Sequence, residues 1–443
     1  MVDAAAAIAR FEAELGGIRR QSDPYEHALA AHRLGLAYAE TVLGKPEDQL
    51  RRALACFDVA ASLLDPRFHP VEHSRVLTAA GSVRRSLGDP AKALELFCAA
   101  ADIASGRVST DESAAMANNI GLALLERGDV AASIERFDQA VERFDATSAE
   151  GRRGRASALH NRGLARATSG RLDDLVAAFA DHDGALAAVG FDEAALHHGL
   201  VQHSRGVVAS TLSTTSPDPA AAATWRLLAL DAFTAALDVF VWPEHAVRHG
   251  MVSFNLGRMW AAGHSIDDLR QAMVNFEDAV TAFDPREQNA PWRRSFDSLT
   301  ATEGRLAVSH PGWHRTDHLV ALLHGDPEGA LRLMRRRLTR WLVLPGPARQ
   351  SAVIDLVGAS ARWAEPHGAG EAALALLLTT VMELPVEAQS TVLDALLAAR
   401  NAGGVDEREA LDRLVDRAIG DALNGPQRVF VRDHLVAGGY ERP

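Results

Sequence analysis

RVLTAAGSVRRSLGDPAKALELFCAAADI (residues 75–103) and AMANNIGLALLERGDVAASIERFDQAVER (residues 115–143) are one pattern written twice. Gly81 falls on Gly121, Gly88 on Gly128, Asp89 on Asp129, Phe97 on Phe137 and Ala100 on Ala140, so the period is 40 residues. Each feature has a physical reason. A glycine inside the first helix lets a second helix cross it closely, and Gly-Asp supplies a residue tolerant of positive φ followed by an N-cap. The phenylalanine 16 residues after the first glycine, with an alanine three residues later, gives the second helix a knob and a notch for ridge-into-groove stacking. One such hairpin cannot bury its apolar face alone, so the pattern predicts a stack of hairpins, an α-solenoid.

The same signature extends on both sides. Residues 2–15 read as a short amphipathic helix within an N-terminal cap, residues 1–22. Gly35, Tyr38, Phe57 and Ala60 mark a copy whose glycine-to-aromatic distance is 22, with KPEDQ (45–49) accommodating the excess. Gly163 and Phe179, again 16 apart, mark a fourth copy in which His182 replaces the small residue after the aromatic, so that the joint there is looser or the superhelix changes curvature. LHHGLVQHSRGVVAS and TWRLLALDAFTAALDVF form a degenerate fifth hairpin, with 211–223 read as a long polar loop. Gly257, Trp260, Phe276 and Ala279 carry a sixth, and PWRRSFDSLTATEGRLA (from 291) opens a possible seventh first helix. The array therefore occupies 23–309. From 316 to 443 the signature is missing, and helices at 327–343, 348–364, 370–383, 386–400, 406–422 and 426–437, punctuated by Pro and Gly, predict a separate all-helical C-terminal domain.

The small residue or Gly, the Gly-Asp turn, Ala93, Phe97 and Ala100, together with NNIGLALLERGD, resemble the tetratricopeptide repeat (TPR). The resemblance implies a right-handed superhelix that binds peptides or protein segments on a concave face lined by first helices. It also implies that the residue three before the helix glycine points inward. In copies one to six that residue is His32, Thr78, Asn118, His160, His203 and Phe254, and the next is Arg33, Ala79, Asn119, Asn161, Ser204 and Asn255. Amide and imidazole groups suit a groove that grips main chain. Arg75, Arg85 and Arg258, placed on the same side, would favour an acidic or C-terminal carboxylate group. The candidate partner-binding residues are therefore Arg75, Asn118, Asn119, His160, Asn161, His203, Asn255 and Arg258. The competing reading is that the asparagines bond neighbouring helices. The family's lysine-based carboxylate clamp is not reproduced.

Composition agrees with an all-α chain: 47% hydrophobic but 6% aromatic, with three tyrosines. A net charge of −12 argues against nonspecific nucleic-acid binding. MVDAAAAIARFEAEL carries charges through what would be a leader's apolar core, and the apolar run at 372–382 is too short for a bilayer, so a cytoplasmic protein without membrane contact is expected. Lys45 and Lys92 are the only lysines, an arginine skew read as a GC-rich bacterial genome. Cys56 and Cys98 beside Phe57 and Phe97 read as packing residues.

No phosphate loop, nucleophile elbow or Cys-His arrangement occurs, and no cofactor or metal is expected. His245 and His249 lack the glutamate of a zinc-protease motif, while adjacent His197 and His198 imply one buried ring and one exposed. Arg332, Arg336 and Arg340 share a face, as a solvated helix exterior or a modest anion contact. The expected function is a noncatalytic protein- or peptide-binding scaffold. The alternative is an enzyme or small-molecule binder of a specialised bacterial pathway, its site at the junction of array and C-terminal domain, where His310, Trp313, His314 and His318 lie.

Overall fold

A computed structural model describes residues 4–40, 46–263, 265–284, 286–309, 319, 323, 327–343, 346–362, 368–402 and 404–440. The helices are α1 (Ala4–Gly17), α2 (Pro24–Glu40), α3 (Pro46–Leu63), α4 (Pro70–Ser86), α5 (Pro90–Ala104), α6 (Thr110–Glu126), α7 (Val130–Arg143), α8 (Ala149–Ala167), α9 (Leu172–Ala188), α10 (Ala195–Thr215) and α11 (Pro219–Val239). They continue with α12 (Ala246–Ala261), α13 (Ile266–Ala282), α14 (Asn289–Ser309), α15 (Pro327–Val343), α16 (Gly346–Arg362), α17 (Ala369–Val381), α18 (Val386–Ala402), α19 (Val405–Ala422) and α20 (Gly425–Ala437). No strand occurs among the described residues. Two compact units divide the chain, Met1–Val239 and Phe240–Pro443. That division falls inside the repeat array, between the fifth and sixth hairpins.

In the first unit α2 pairs with α3, α4 with α5, α6 with α7, α8 with α9 and α10 with α11; α12 pairs with α13 in the second. The notch works as the sequence implies. A Cβ placed on Gly81 would stand 2.6 Å from Phe97 Cε1, and one on Gly121 2.6 Å from Phe137 Cε1. Gly35 on Phe57, Gly206 on Phe233 and Gly257 on Phe276 repeat the contact, with all five rings buried. The turns are locally encoded: Gly88 and Gly128 have φ of +78° and +89°, and Asp89 accepts from Lys92 N at 3.1 Å. Asp129 makes no such cap and meets Arg127 instead, at 3.3 Å. α1 lays Ile8, Phe11 and Leu15 on the first hairpin, and Glu14 pairs with Arg33.

Copies four and five differ from expectation. Gly163 faces the ring of His182, 2.7 Å from a notional Cβ, and not Phe179. His182 thus fills the notch and is fully buried, while Phe179 lies edge-on to Trp225, with the Arg205 guanidinium 4.5 Å from its ring centre. The joint is filled by another ring rather than loosened. The stretch 211–223 is helix on both sides of a short break at 216–218. Thr211, Ser213, Thr214 and Thr215 bond back to carbonyls of their own helix, and Asp218 accepts from Ala220 N and Ala221 N at the start of α11. α11 is apolar and long enough by composition to cross a bilayer, and it buries Ala229, Ala232, Phe233 and Ala236. Cys56 and Cys98 are half-buried free thiols, and burial raises the Cys56 pKa to about 11.

In the second unit the helices after α14 lie close to their expected positions but pack differently from hairpins. α16 rests mainly on α18 and α17 on α19, each on its next-but-one neighbour. Leu333, Leu338, Trp341, Leu377, Leu393 and Leu414 belong to their shared core.

Candidate functional site

Within the first unit the first helices of neighbouring pairs (α2, α4, α6, α8, α10) lie against one another more closely than the second helices do. That places them on the inner side of the stack. Positions six and three before the helix glycine and one after it fall within one arc of each helix at 100° per residue. These positions carry the candidate ligand face.

The position three before the glycine is half-buried in every copy, and where it carries a ring it rests on the notch ring beneath. Ring centres lie 5.8 Å apart for His32 and Phe57, 6.2 Å for His203 and Phe233, and 5.8 Å for Phe254 and Phe276. Asn161, buried on α8, donates to Asn118 Oδ1 on α6 at 3.0 Å, so the two amides bond adjacent first helices. Asn119 is half-buried on the next step of α6. Arg75 donates to Glu112 (Nε–Oε1 3.1 Å), and Arg85 pairs with Glu126 at 2.7 Å, each joining consecutive first helices. In the second unit Asn255 is half-buried and Arg258 exposed on α12.

His160, His182 and His197 form a cluster between α8, α9 and α10. The His160 ring centre lies 5.2 Å from that of His182 and 5.9 Å from that of His197. His160 Nδ1, both His182 nitrogens and His197 Nε2 are buried with no hydrogen-bond partner among the described residues. Burial pushes His182 down to about 3, helped by His160 and Arg205. It lowers His160 to about 4, with His197 and His203 adding to the effect, and lowers His203 to about 4. These rings are neutral at physiological pH. His197 and His198 are both half-buried, not split between core and solvent, because His198 turns to Val189 O at 2.6 Å.

Sequence reading missed two features. The first is apolar: Leu36 (38% exposed), Leu164 (37%) and Val207 (39%) follow the helix glycine, and Leu200 (36%) precedes it by six. The amide and imidazole ladder is thus flanked by exposed aliphatic side chains. The second is a joint histidine. His27 Nδ1 meets Ile18 O at 2.9 Å, His73 Nδ1 meets Leu64 O at 2.7 Å, and in the second unit His249 Nδ1 meets Phe240 O at 2.8 Å. With His198, each stands eight residues before its helix glycine and ties a first helix to the chain that precedes it. That spacing was visible in the sequence.

Several other charged groups are paired within the fold. Arg162 reaches Asp181 (Nε–Oδ1 3.1 Å) and Asp138 (2.7 Å), while Arg166 reaches Asp181 at 2.8 Å, so α7, α8 and α9 share one ion network around a buried carboxylate. Arg335 pairs with Glu383 at 2.8 Å, and Arg337 is buried against Glu277 at 3.4 Å. The side chains of Arg332, Arg336 and Arg340 lie outside the described residues, as do His310, Trp313, His314 and His318. Among the described residues no three His, Cys, Asp or Glu side chains converge as metal ligands.

No family model and no curated protein matches the sequence. Solved structures similar to the chain include BtubC from P. vanneervenii, at 17% identity over 54% of this chain and 91% of that one, TM-score 0.42. Another is the C-terminal part of a TPR repeat-containing protein from Cytophaga hutchinsonii, at 13% identity over 67% and 95%, TM-score 0.39. A third is the human IFIT1 dimer with m7Gppp-AAAA, at 13% identity over 93% and 78%, TM-score 0.42. By its own paired helices, Gly-Asp turns and ring-on-glycine notches, the chain is a TPR-like helical-repeat protein.

Proposed function

We propose that the chain is a noncatalytic scaffold that binds an extended protein or peptide segment on the inner face of its first unit. The observation that supports this is the alignment of exposed Leu36, Leu164, Leu200 and Val207 with the Asn118 and Asn161 amides and the His32 and His203 rings on α2, α6, α8 and α10. Single exposed aliphatic residues are ordinary, but a row at matching repeat positions beside hydrogen-bonding groups suits a chain offering alternate side chains and backbone. An acidic segment would compete for Arg75 and Arg85 with Glu112 and Glu126; exposed pairs of that kind are worth only about 0–1 kcal/mol, so exchange is easy. The net charge of −12 works against a nucleic-acid ligand.

Selection from a random peptide display library tests the reading. Wild-type protein should enrich peptides with aliphatic residues at alternating positions. The Leu164→Asp/Val207→Asp variant, changed only at exposed positions, should lose that enrichment while keeping its helical circular dichroism. The same peptides recovered by both proteins, or none by wild type, would overturn it.

A further inference from the structure

The joint between the second and third hairpins departs from its neighbours. Seven residues beyond each notch ring, the chain normally places a bulky apolar side chain under the next first helix: Leu64, Phe144 and Val189, all buried. The second hairpin places Ala104 there. The joint histidine is also replaced, since the residue eight before Gly121 is Ser113, where the second and fifth hairpins have His73 and His198. Both fillers are small at the same joint. What remains is a cleft of about 440 Å³ between the end of α5, the start of α6, and α7.

Ala104, Met116 and Ile120 supply apolar wall, and Ser113, Arg136 and Arg143 supply polar rim. Arg143 Nη1 donates to Ser113 Oγ at 3.2 Å and Arg136 Nη1 to Gln139 Oε1 at 3.4 Å. Neither arginine forms an ion pair among the described residues. α6 shows the cleft its Ser113, Met116 and Ile120 edge, opposite the edge carrying Ala115, Asn118 and Leu122 on the inner face. The cleft is therefore separate from the peptide face and does not rest on that reading.

We propose that this cleft binds an apolar body carrying one carboxylate. The body, aryl or branched alkyl, takes the volume that Leu64 or Phe144 fills at other joints, and the carboxylate meets the Arg136 and Arg143 guanidiniums. A free aryl-alkyl carboxylic acid and the C-terminal residue of a peptide both present this chemistry.

Calorimetric titration of the full chain tests it with 3-phenylpropionate, 3-phenylpropionamide and N-acetyl-Gly-Phe. The two carboxylates should bind, and the amide should bind about tenfold more weakly, the scale of one lost charge-assisted contact. Tighter binding of N-acetyl-Gly-Phe assigns the cleft to a chain end, and tighter binding of 3-phenylpropionate to a free acid. Ala104→Leu/Ser113→His rebuilds the joint made by Leu64 and His73; it should abolish binding with a Tm no lower than wild type. Arg136→Gln/Arg143→Gln keeps the cavity and should weaken the carboxylates to the level of the amide. Leu164→Asp/Val207→Asp should leave all three affinities unchanged, which separates failure here from failure of the peptide-face reading. No carboxylate bound by wild type at millimolar concentration, an amide as tight as the acid, or unchanged binding by the refilled joint would each overturn the proposal.

Discussion

Gly121 leaves room for Phe137, and a methyl added there would stand 2.6 Å from Cε1 and 2.8 Å from Cδ1 of a fully buried ring. Helix propensity alone favours Gly121→Ala by up to about 1 kcal/mol. The ring cannot retreat into a packed interior, so overpacking decides the sign, and the substitution should cost about 1–3 kcal/mol in urea unfolding. His182 holds the opposite imbalance. It occupies a site that other copies give to phenylalanine, and neither ring nitrogen has a partner among the described residues. His182→Phe removes the unsatisfied groups and should stabilise the fold by about 1 kcal/mol at neutral pH. The acid response follows from the same residue. The folded pKa is about 3 and the unfolded value near 6.5, so below about pH 6.5 the unfolded chain binds a proton that the folded chain refuses. Stability should therefore fall as pH drops from about 6.5 towards 4, with His160 and His203 acting in the same direction. Each such histidine adds a slope of up to about 1.4 kcal/mol per pH unit. His182→Phe should flatten the acid limb in denaturant titrations run across that range, and an unaltered limb would show that these rings are protonated in the fold.

Among the elements, the hairpins encoded by local rules were legible and those set by packing were not. The second and third copies could be read because Gly-Asp turns and the 16-residue spacing are matters of backbone preference. In the fourth copy the spacing selects Phe179, yet His182 enters the notch. The two stand three residues apart on one face of α9, and periodicity cannot choose between them. The 211–223 stretch looked like a loop because Ser and Thr are weak helix formers; tertiary packing of α10 on α11, with hydroxyls bonded back to their own helix, overrides the propensity. On the candidate face, the ladder positions were identifiable from register, whereas the Asn161–Asn118 and Arg75–Glu112 bonds depend on how neighbouring first helices are spaced. The joint histidines yield a test at this scale. His73→Phe keeps ring volume but takes a donor from Leu64 O just beyond α3, and should cost about 1 kcal/mol. Amide exchange at the end of α3 should quicken, while the end of α7, which uses no such histidine, should be unchanged.

For the molecule as a whole, the all-α repeat class was readable from the period, but the division after Val239 was not. The glycine-and-ring signature continues through Gly257 and Phe276, so the sequence shows one array where the chain forms two compact units. Nor could it show next-but-one packing among the C-terminal helices, since an apolar stripe says which face is buried and not which neighbour covers it. The division has a thermodynamic consequence. In repeat arrays stability is nearly a sum over each hairpin and its adjoining interfaces, so two units that each hold their own core can unfold as separate steps. The fragment Met1–Val239 retains all five of its hairpins with their buried rings. It should fold alone, with helical circular dichroism and a cooperative melt. In the full chain urea unfolding should resolve into two transitions, and His182→Phe should move only the one shared with the fragment. A single transition shifted bodily by that substitution would mean that the two units unfold as one cooperative body despite their separate cores.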